Sequence, residues 1–234
     1  MTTRRSFLGA VAGGPAAAAT AFHGLARAAG GKPPLGLQLY SLRGMLEKDV
    51  PGTLGQVKAW GFDEVETFGK SGAEIAPQLA AAGLKVRAMH IGFDRLEKDL
   101  AGVLKDADTA GASTILNPSL PHKALPATRE EILDAAGAFA KWSKACRAAG
   151  KRFGYHLHGQ EFGPAPEGTL FDVLARESGP DVGFEFDVYW IAFGGGDPVA
   201  LMKKHAGRVW FTHLNESADP VGQIPKSVAY YRTL

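Results

Sequence analysis

The sequence predicts an α/β fold, a (β/α)8 barrel in which seven strands are recognisable. Three observations carry that expectation. Strand-like runs alternate with helix-like runs along the chain, the pattern of a parallel sheet joined by helical crossovers. The first strand-like run is not followed by G-x-G-x-x-G, which an open dinucleotide-binding sheet would carry there. Polar groups gather at the C-terminal ends of the strands, where a barrel places its chemistry.

The elements follow in order. Leu35 to Ser41 (LGLQLYS) reads as the first strand and Thr53 to Trp60 as the first helix. Phe62 to Glu66 (FDEVE) is the second strand, and Ala73 to Ala82 an Ala-rich helix stopped by Gly83. Leu84 to His90 (LKVRAMH) is a strand, and Asp94 to Ala110 a helix ended by Gly111. Ser113 to Asn117 (STILN) is a strand stopped by Pro118, and Thr128 to Ala149 a long helix ended by Gly150. In RFGYHLHG, from Arg152, Phe153, Tyr155 and Leu157 alternate with Gly154, His156 and His158, so an apolar face backs a face with two imidazoles. A short helix near Thr169 to Glu177, the strand VGFEFD to Asp187, a helix from Asp197 to His205 and the strand RVWFTH to His213 complete the series. Asp197-Pro198 reads as an N-cap with proline at the first helical position. The tail after His213 offers only a weak strand, Val228 to Arg232. The expectation is a barrel short of its last strand–helix unit, with open sheet edges that favour a homo-oligomer.

Residues 1–28 read as a leader and residues 29–234 as the barrel domain. Arg4-Arg5 precedes Ser6-Phe7-Leu8, an Ala/Gly-rich stretch follows, and Ala26-Arg27-Ala28 is a small-x-small cleavage pattern. That arrangement resembles a twin-arginine signal and places the protein in the periplasm or otherwise outside the cytoplasm. The leader holds three arginines and no acid, so the rest of the chain has 23 basic and 24 acidic residues. No basic patch argues for nucleic acid, and no apolar run argues for a membrane span in the mature chain. The single cysteine, Cys146, excludes an intrachain disulfide and a Cys-rich metal site.

The last polar residues of successive strands are Glu66, His90, Asn117, His156 with His158, Asp187 and His213, while the first strand offers Gln38 and Tyr40. In a barrel these ends surround one mouth. Nitrogen and oxygen ligands without thiolates suit Mn, Zn, Co or Mg. Glu185 shares a strand face with Asp187. Trp190 follows Asp187 by three residues and offers a wall or stacking face for a sugar. His205 sits at a helix C-terminus, where a cation suits the dipole. His122 lies on the loop after strand four, within reach of a substrate.

LGLQLYSLR, GFDEVE, YHLHGQEF, FEFDVYWIAFGGGDPVALMKKHAGRV and THLNE, taken in order, resemble the xylose-isomerase-like barrel superfamily of sugar phosphate isomerases and epimerases, in its exported branch. The resemblance runs from about Leu35 to Glu216. It implies a divalent metal on side chains from the later strands: Asp187 matches the sixth-strand ligand, His213 the seventh, and His156 stands where many relatives carry a glutamate. The eighth-strand glutamate has no counterpart. It implies metal-dependent isomerisation or epimerisation of sugars or keto-sugars through an enediolate. The family's two-glutamate proton exchange lacks both glutamates here, so, read from the residues themselves, Glu66, Glu161 or Glu185 is the base and Gln38, Tyr40, His90, Asn117, His158 and Trp190 stand around the sugar. The same arrangement would also serve a 3-keto-glycoside lyase or hydrolase, or a non-catalytic sugar-binding barrel. A phosphoesterase of the endonuclease IV kind fits the near-neutral mature charge and the leader less well.

Overall fold

A computed structural model describes residues 34–69, 71–121, 127–214 and 219–233. The leader expected at 1–28, and His122, lie outside the described residues.

Seven parallel strands run β1 Gly36–Gln38, β2 Glu64–Phe68, β3 Lys85–His90, β4 Thr114–Asn117, β5 Arg152–His156, β6 Gly183–Asp187 and β7 Val209–His213. Their order in the sheet is their order in the chain, and every neighbouring pair is parallel. That curled sheet is an incomplete (β/α)8 barrel. Among the described residues β1 pairs only with β2, and β7 only with β6.

The crossovers are built as the sequence dictates. α1 Val50–Ala59 is capped by Asp49, whose side chain accepts from the Gly52 N–H at 3.0 Å. α2 Ala76–Ala81 starts with Pro77 in its first turn. α3 Leu100–Ala110 stops at Gly111, which takes the left-handed conformation at φ 70°. α4 Arg129–Ala148 opens on a capping box between Thr128 and Glu131, and α5 Leu170–Glu177 on one between Thr169 and Asp172. α6 Val188–Phe193 and α7 Pro198–Lys204 begin at Asp187 and Asp197 respectively, each side chain capping its own helix.

Four local expectations are corrected. The first strand is only three residues long and passes straight into a 3-10 turn, Leu39–Leu42. The helix expected over Asp94 to Ala110 is two, Phe93–Lys98 and α3, broken at Asp99, which caps α3 through the Gly102 N–H at 2.9 Å. α6, absent from the expected series, starts because Asp187 accepts from the Trp190 N–H. The tail read as a strand over Val228 to Arg232 belongs to α8, Pro220–Thr233. Asp219 caps it, accepting from the Gly222 N–H at 3.0 Å, and Ile224, Val228 and Tyr231 recur at helical spacing, with Val228 buried. The β-prone residues of VAYYR are overridden by that cap and stripe.

The outward faces of the strands pack on the helices. Phe139 of α4 lies 5.5 Å from Phe153 and 5.1 Å from Tyr155 between ring centroids, and Trp142 lies 4.7 Å from Phe93. Phe184 and Phe186 of β6 meet Phe171 of α5 at 5.0 and 5.8 Å. Each such ring contributes about 1.5–3 kcal/mol by its burial. This layer fixes β5 and β6 back to front, so their other faces carry His156, Glu185 and Asp187 into the barrel.

Candidate metal and proton-transfer site

Strand alternation aims the site. On β6 Phe184 and Phe186 face the helices, so Glu185 and Asp187 face inward. On β5 Phe153 and Tyr155 face outward and His156 inward. Across the ladder His156 pairs in register with Glu185, and Asp187 with His213.

Glu185 Oε2 meets His156 Nδ1 at 2.7 Å. The other ring nitrogen of His156 faces Asp187 Oδ2 at 3.7 Å, and His213 Nε2 faces the same oxygen at 3.9 Å. The remaining Asp187 oxygen is spent on the Trp190 N–H at 2.9 Å, which holds the carboxylate still. Deeper in the barrel, His90 Nε2 lies 2.9 Å from Glu66 Oε2 and 3.3 Å from Glu185 Oε2, and Gln38 Nε2 lies 3.2 Å from the same ring nitrogen. The ligand atoms of His90, His156 and Glu185 all fall within 4.8 Å of one another.

Ionisation differs sharply across this cluster. Burial alone would push the Glu66 carboxyl up, but the hydrogen bond and charge of His90 outweigh it and hold Glu66 low. Burial pushes Glu185 well above the usual carboxylate range, and the neighbouring Glu66 charge adds to the effect. Burial would lower His90, but the Glu185 and Glu66 carboxylates raise it. Burial, followed by the charges of neighbouring imidazoles, depresses His156, His158 and His213 to about 3 each. The site therefore favours the charged forms of Glu66 and His90, disfavours charge on Glu185, and presents three neutral imidazoles.

This donor set fits a divalent cation. Its atoms are nitrogen and oxygen only, its imidazoles are neutral and need lose no proton, and a buried carboxylate stands opposite them.

Not every expected site residue reaches the cluster. Asn117 ends β4 on the face away from the barrel; its Nδ2 donates to the Ile91 carbonyl at 2.9 Å and its Oδ1 accepts from the Ser119 N–H at 3.3 Å. It ties two loops together. Glu161 is fully buried and accepts from the Tyr155 hydroxyl, on the helix-facing side of β5, so its carboxyl turns away from the imidazoles. Burial raises its pKa. His158 packs tilted against His156, ring centroids 4.4 Å apart, and faces Trp190 at 6.3 Å. Tyr40 stands partly exposed beside Phe68, edge to face at 5.4 Å. His205 packs on Phe171 and Phe184, remote from the cluster. No motif marks the Tyr155 hydroxyl as a partner for Glu161; only the spacing between a strand tyrosine and a loop acid hints at it.

A solved sugar phosphate isomerase/epimerase from Parabacteroides distasonis superposes with a TM-score of 0.68 at 22% identity, over 84% of this chain and 92% of that one. The fold is that of the xylose-isomerase-like barrels. An L-ribulose 3-epimerase matches this barrel at TM-score 0.61 and 14% identity, over 86% of this chain and 79% of its own. The IolI protein, solved with a zinc atom, matches at 0.57 and 13%, over 77% and 72%. No protein-family model and no curated protein sequence matches the chain. Among the described residues no helix is long and apolar enough to cross a membrane.

Proposed function

We propose that this barrel is a divalent-metal-dependent isomerase or epimerase of sugars or keto-sugars, working outside the cytoplasm behind the leader at residues 1–28. The observation that carries the reading is the His156 ring, held between Glu185 on one nitrogen and Asp187 on the other. A carboxyl oxygen 2.7 Å from Nδ1 orients the ring and turns Nε2 toward Asp187 at the mouth. His156, Asp187 and His213 would hold the ion. Bound there, a divalent cation would act as a Lewis acid on a sugar carbonyl and its neighbouring hydroxyl.

The chain's own groups move the proton. Glu66 is ionised, and it is the less buried of the two inner carboxyls, 8% exposed against 2% for Glu185. It is placed to take the proton from the carbon beside the carbonyl. His90 touches both carboxyls and carries the proton between them, while Glu185, whose acid form burial favours, returns one. Carboxyls pushed to opposite ionisation states by one environment are the arrangement acid–base pairs require. Gln38 fixes the His90 ring, and His158 and Trp190 wall the substrate side. The solved isomerase and epimerases of this fold, and the zinc bound by one of its members, support the reading.

The test is solvent exchange. Metal-loaded protein is incubated with a panel of ketoses and aldoses in D2O, and deuterium at the carbon beside the carbonyl is read by NMR. Incorporation into at least one sugar, lost in Glu66→Gln, is expected. No incorporation across the panel, or full incorporation by Glu66→Gln, would overturn the reading.

A further inference from the structure

α6 puts three aromatic residues into six positions, and only Ile191 among its side chains is fully buried. Phe193 is 72% exposed and Tyr189 39%. Their rings are near-parallel, 21° apart, with centroids at 6.2 Å. Trp190 stands edge-on to both, 5.2 Å from Tyr189 and 5.4 Å from Phe193, and faces His158 on its other side. The aromatic surface is thus continuous from the imidazoles of the mouth out to Phe193.

The helix that carries it is rigidly held. Its first turn is fixed by Asp187, and its last rests against the β5 loop, where a Cβ on Gly194 would come within 2.3 Å of the Gly159 carbonyl oxygen. Ile191 anchors its underside. Exposed aromatics on an immobilised turn form a prepaid binding surface, since little conformational freedom is lost when something stacks on them. From Asp187 to Phe193 the helix rises about 9 Å, farther than one sugar ring spans. A ring seated at Asp187 cannot also cover Phe193.

Resting on the isomerase reading above, we propose that Tyr189, Trp190 and Phe193 form a subsite for a second sugar ring, and that the substrate is a di- or oligosaccharide rather than a free monosaccharide. The inner polar groups take the reacting ring, and the aromatic faces take the apolar C–H face of the next one.

The experiment is calorimetric titration of the zinc-loaded chain with glucose, galactose, cellobiose, maltose and lactose. At least one disaccharide is expected to bind about tenfold tighter than its monosaccharide. Phe193→Ala and Tyr189→Ala should each remove most of that gain and leave monosaccharide binding intact, while Tyr230→Ala, an exposed tyrosine on α8, should change neither. Equal binding of mono- and disaccharides, or a gain that survives both substitutions, overturns the subsite while leaving the isomerase reading in place. Loss of all sugar binding together with absent deuterium exchange removes both. A concentration-dependent dimer of the unmodified chain that Phe193→Ala dissolves would show the patch to be a contact between copies, and would also overturn the subsite.

Discussion

Glu185 and Asp187 address opposite nitrogens of the same two imidazoles. Glu185 lies 2.7 Å from Nδ1 of His156 and 3.8 Å from Nδ1 of His213, while Asp187 lies 3.7 and 3.9 Å from their Nε2 atoms. Two residues on one strand face thus divide the work. The deeper one orients the His156 ring, and the shallower one joins both rings at the mouth.

That division predicts unequal losses of metal. Asp187→Ala and His213→Ala should leave the protein without zinc after dialysis, because each removes a donor atom. Glu185→Gln should retain the ion with affinity weakened about 10–100-fold, the usual cost of losing a ligand's orienting partner. His205→Ala should bind as the unmodified chain does. Zinc content by plasma mass spectrometry, with a competing chelator to rank affinities, checks the order; equal retention by Asp187→Ala and His205→Ala would remove the site.

Acid should destabilise the metal-free protein early. His156, His158 and His213 fall from an ordinary 6.5 to about 3 in the folded chain. Above 6.5 neither state binds their protons, and their contribution to stability is complete. Below 6.5 the unfolded chain takes up protons that the folded chain refuses, so stability falls with pH until about 3. The raised His90, Glu185 and Glu161 oppose the trend, while the lowered Glu66 and His205 join the three imidazoles. Urea midpoints in EDTA should therefore drop steadily from pH 7 to pH 4, and His213→Asn should make that slope shallower. An unchanged slope in His213→Asn would contradict the buried, neutral state of that imidazole.

The thiol should be inert. Cys146 is buried in α4, and burial pushes it up to about 11, so almost no thiolate forms at neutral pH. Native protein should resist iodoacetamide at pH 8 and react stoichiometrically in guanidinium. Prompt native labelling would show that α4 opens readily.

How much of this was legible in the sequence follows from strand parity. Alternation along RFGYHLHG and VGFEFD separates inward His156, Glu185 and Asp187 from outward Phe153, Tyr155, Phe184 and Phe186, and the structure keeps that separation. Asn117 shows the limit. It was chosen as the last polar residue of its strand without regard to parity; Leu116 occupies the inward position, close to Gly154, and Asn117 turns to the loops. Glu161 shows another limit, since a loop residue has no periodicity to aim it, and a buried tyrosine hydroxyl captured its carboxyl. α6 and α8 were missed because their caps, Asp187 and Asp219, are single residues with a second reading: Asp187 reads as a ligand, and Asp219 sits in a run of turn formers.

The bottom of the barrel carries the last prediction. Gly183 starts β6 directly beneath Trp210 of β7: a Cβ placed on Gly183 would come within 2.1 Å of the indole ring. The guanidinium of Arg152 lies over the same indole, 4.6 Å from its ring centroid, so the ring cannot tilt away without losing the cation contact. β7 is half-exposed along its whole length and, among the described residues, pairs in the sheet only with β6, so its attachment depends on this packing. Gly183→Ala should cost about 1–3 kcal/mol by overpacking, and it should loosen His213 at the far end of the same strand. Trp210→Ala in the same background should restore much of the loss, because it removes the clashing ring. The double-mutant cycle, read by urea unfolding together with zinc affinity, checks this. Additive effects of the two changes would show that the glycine is not there to admit the indole.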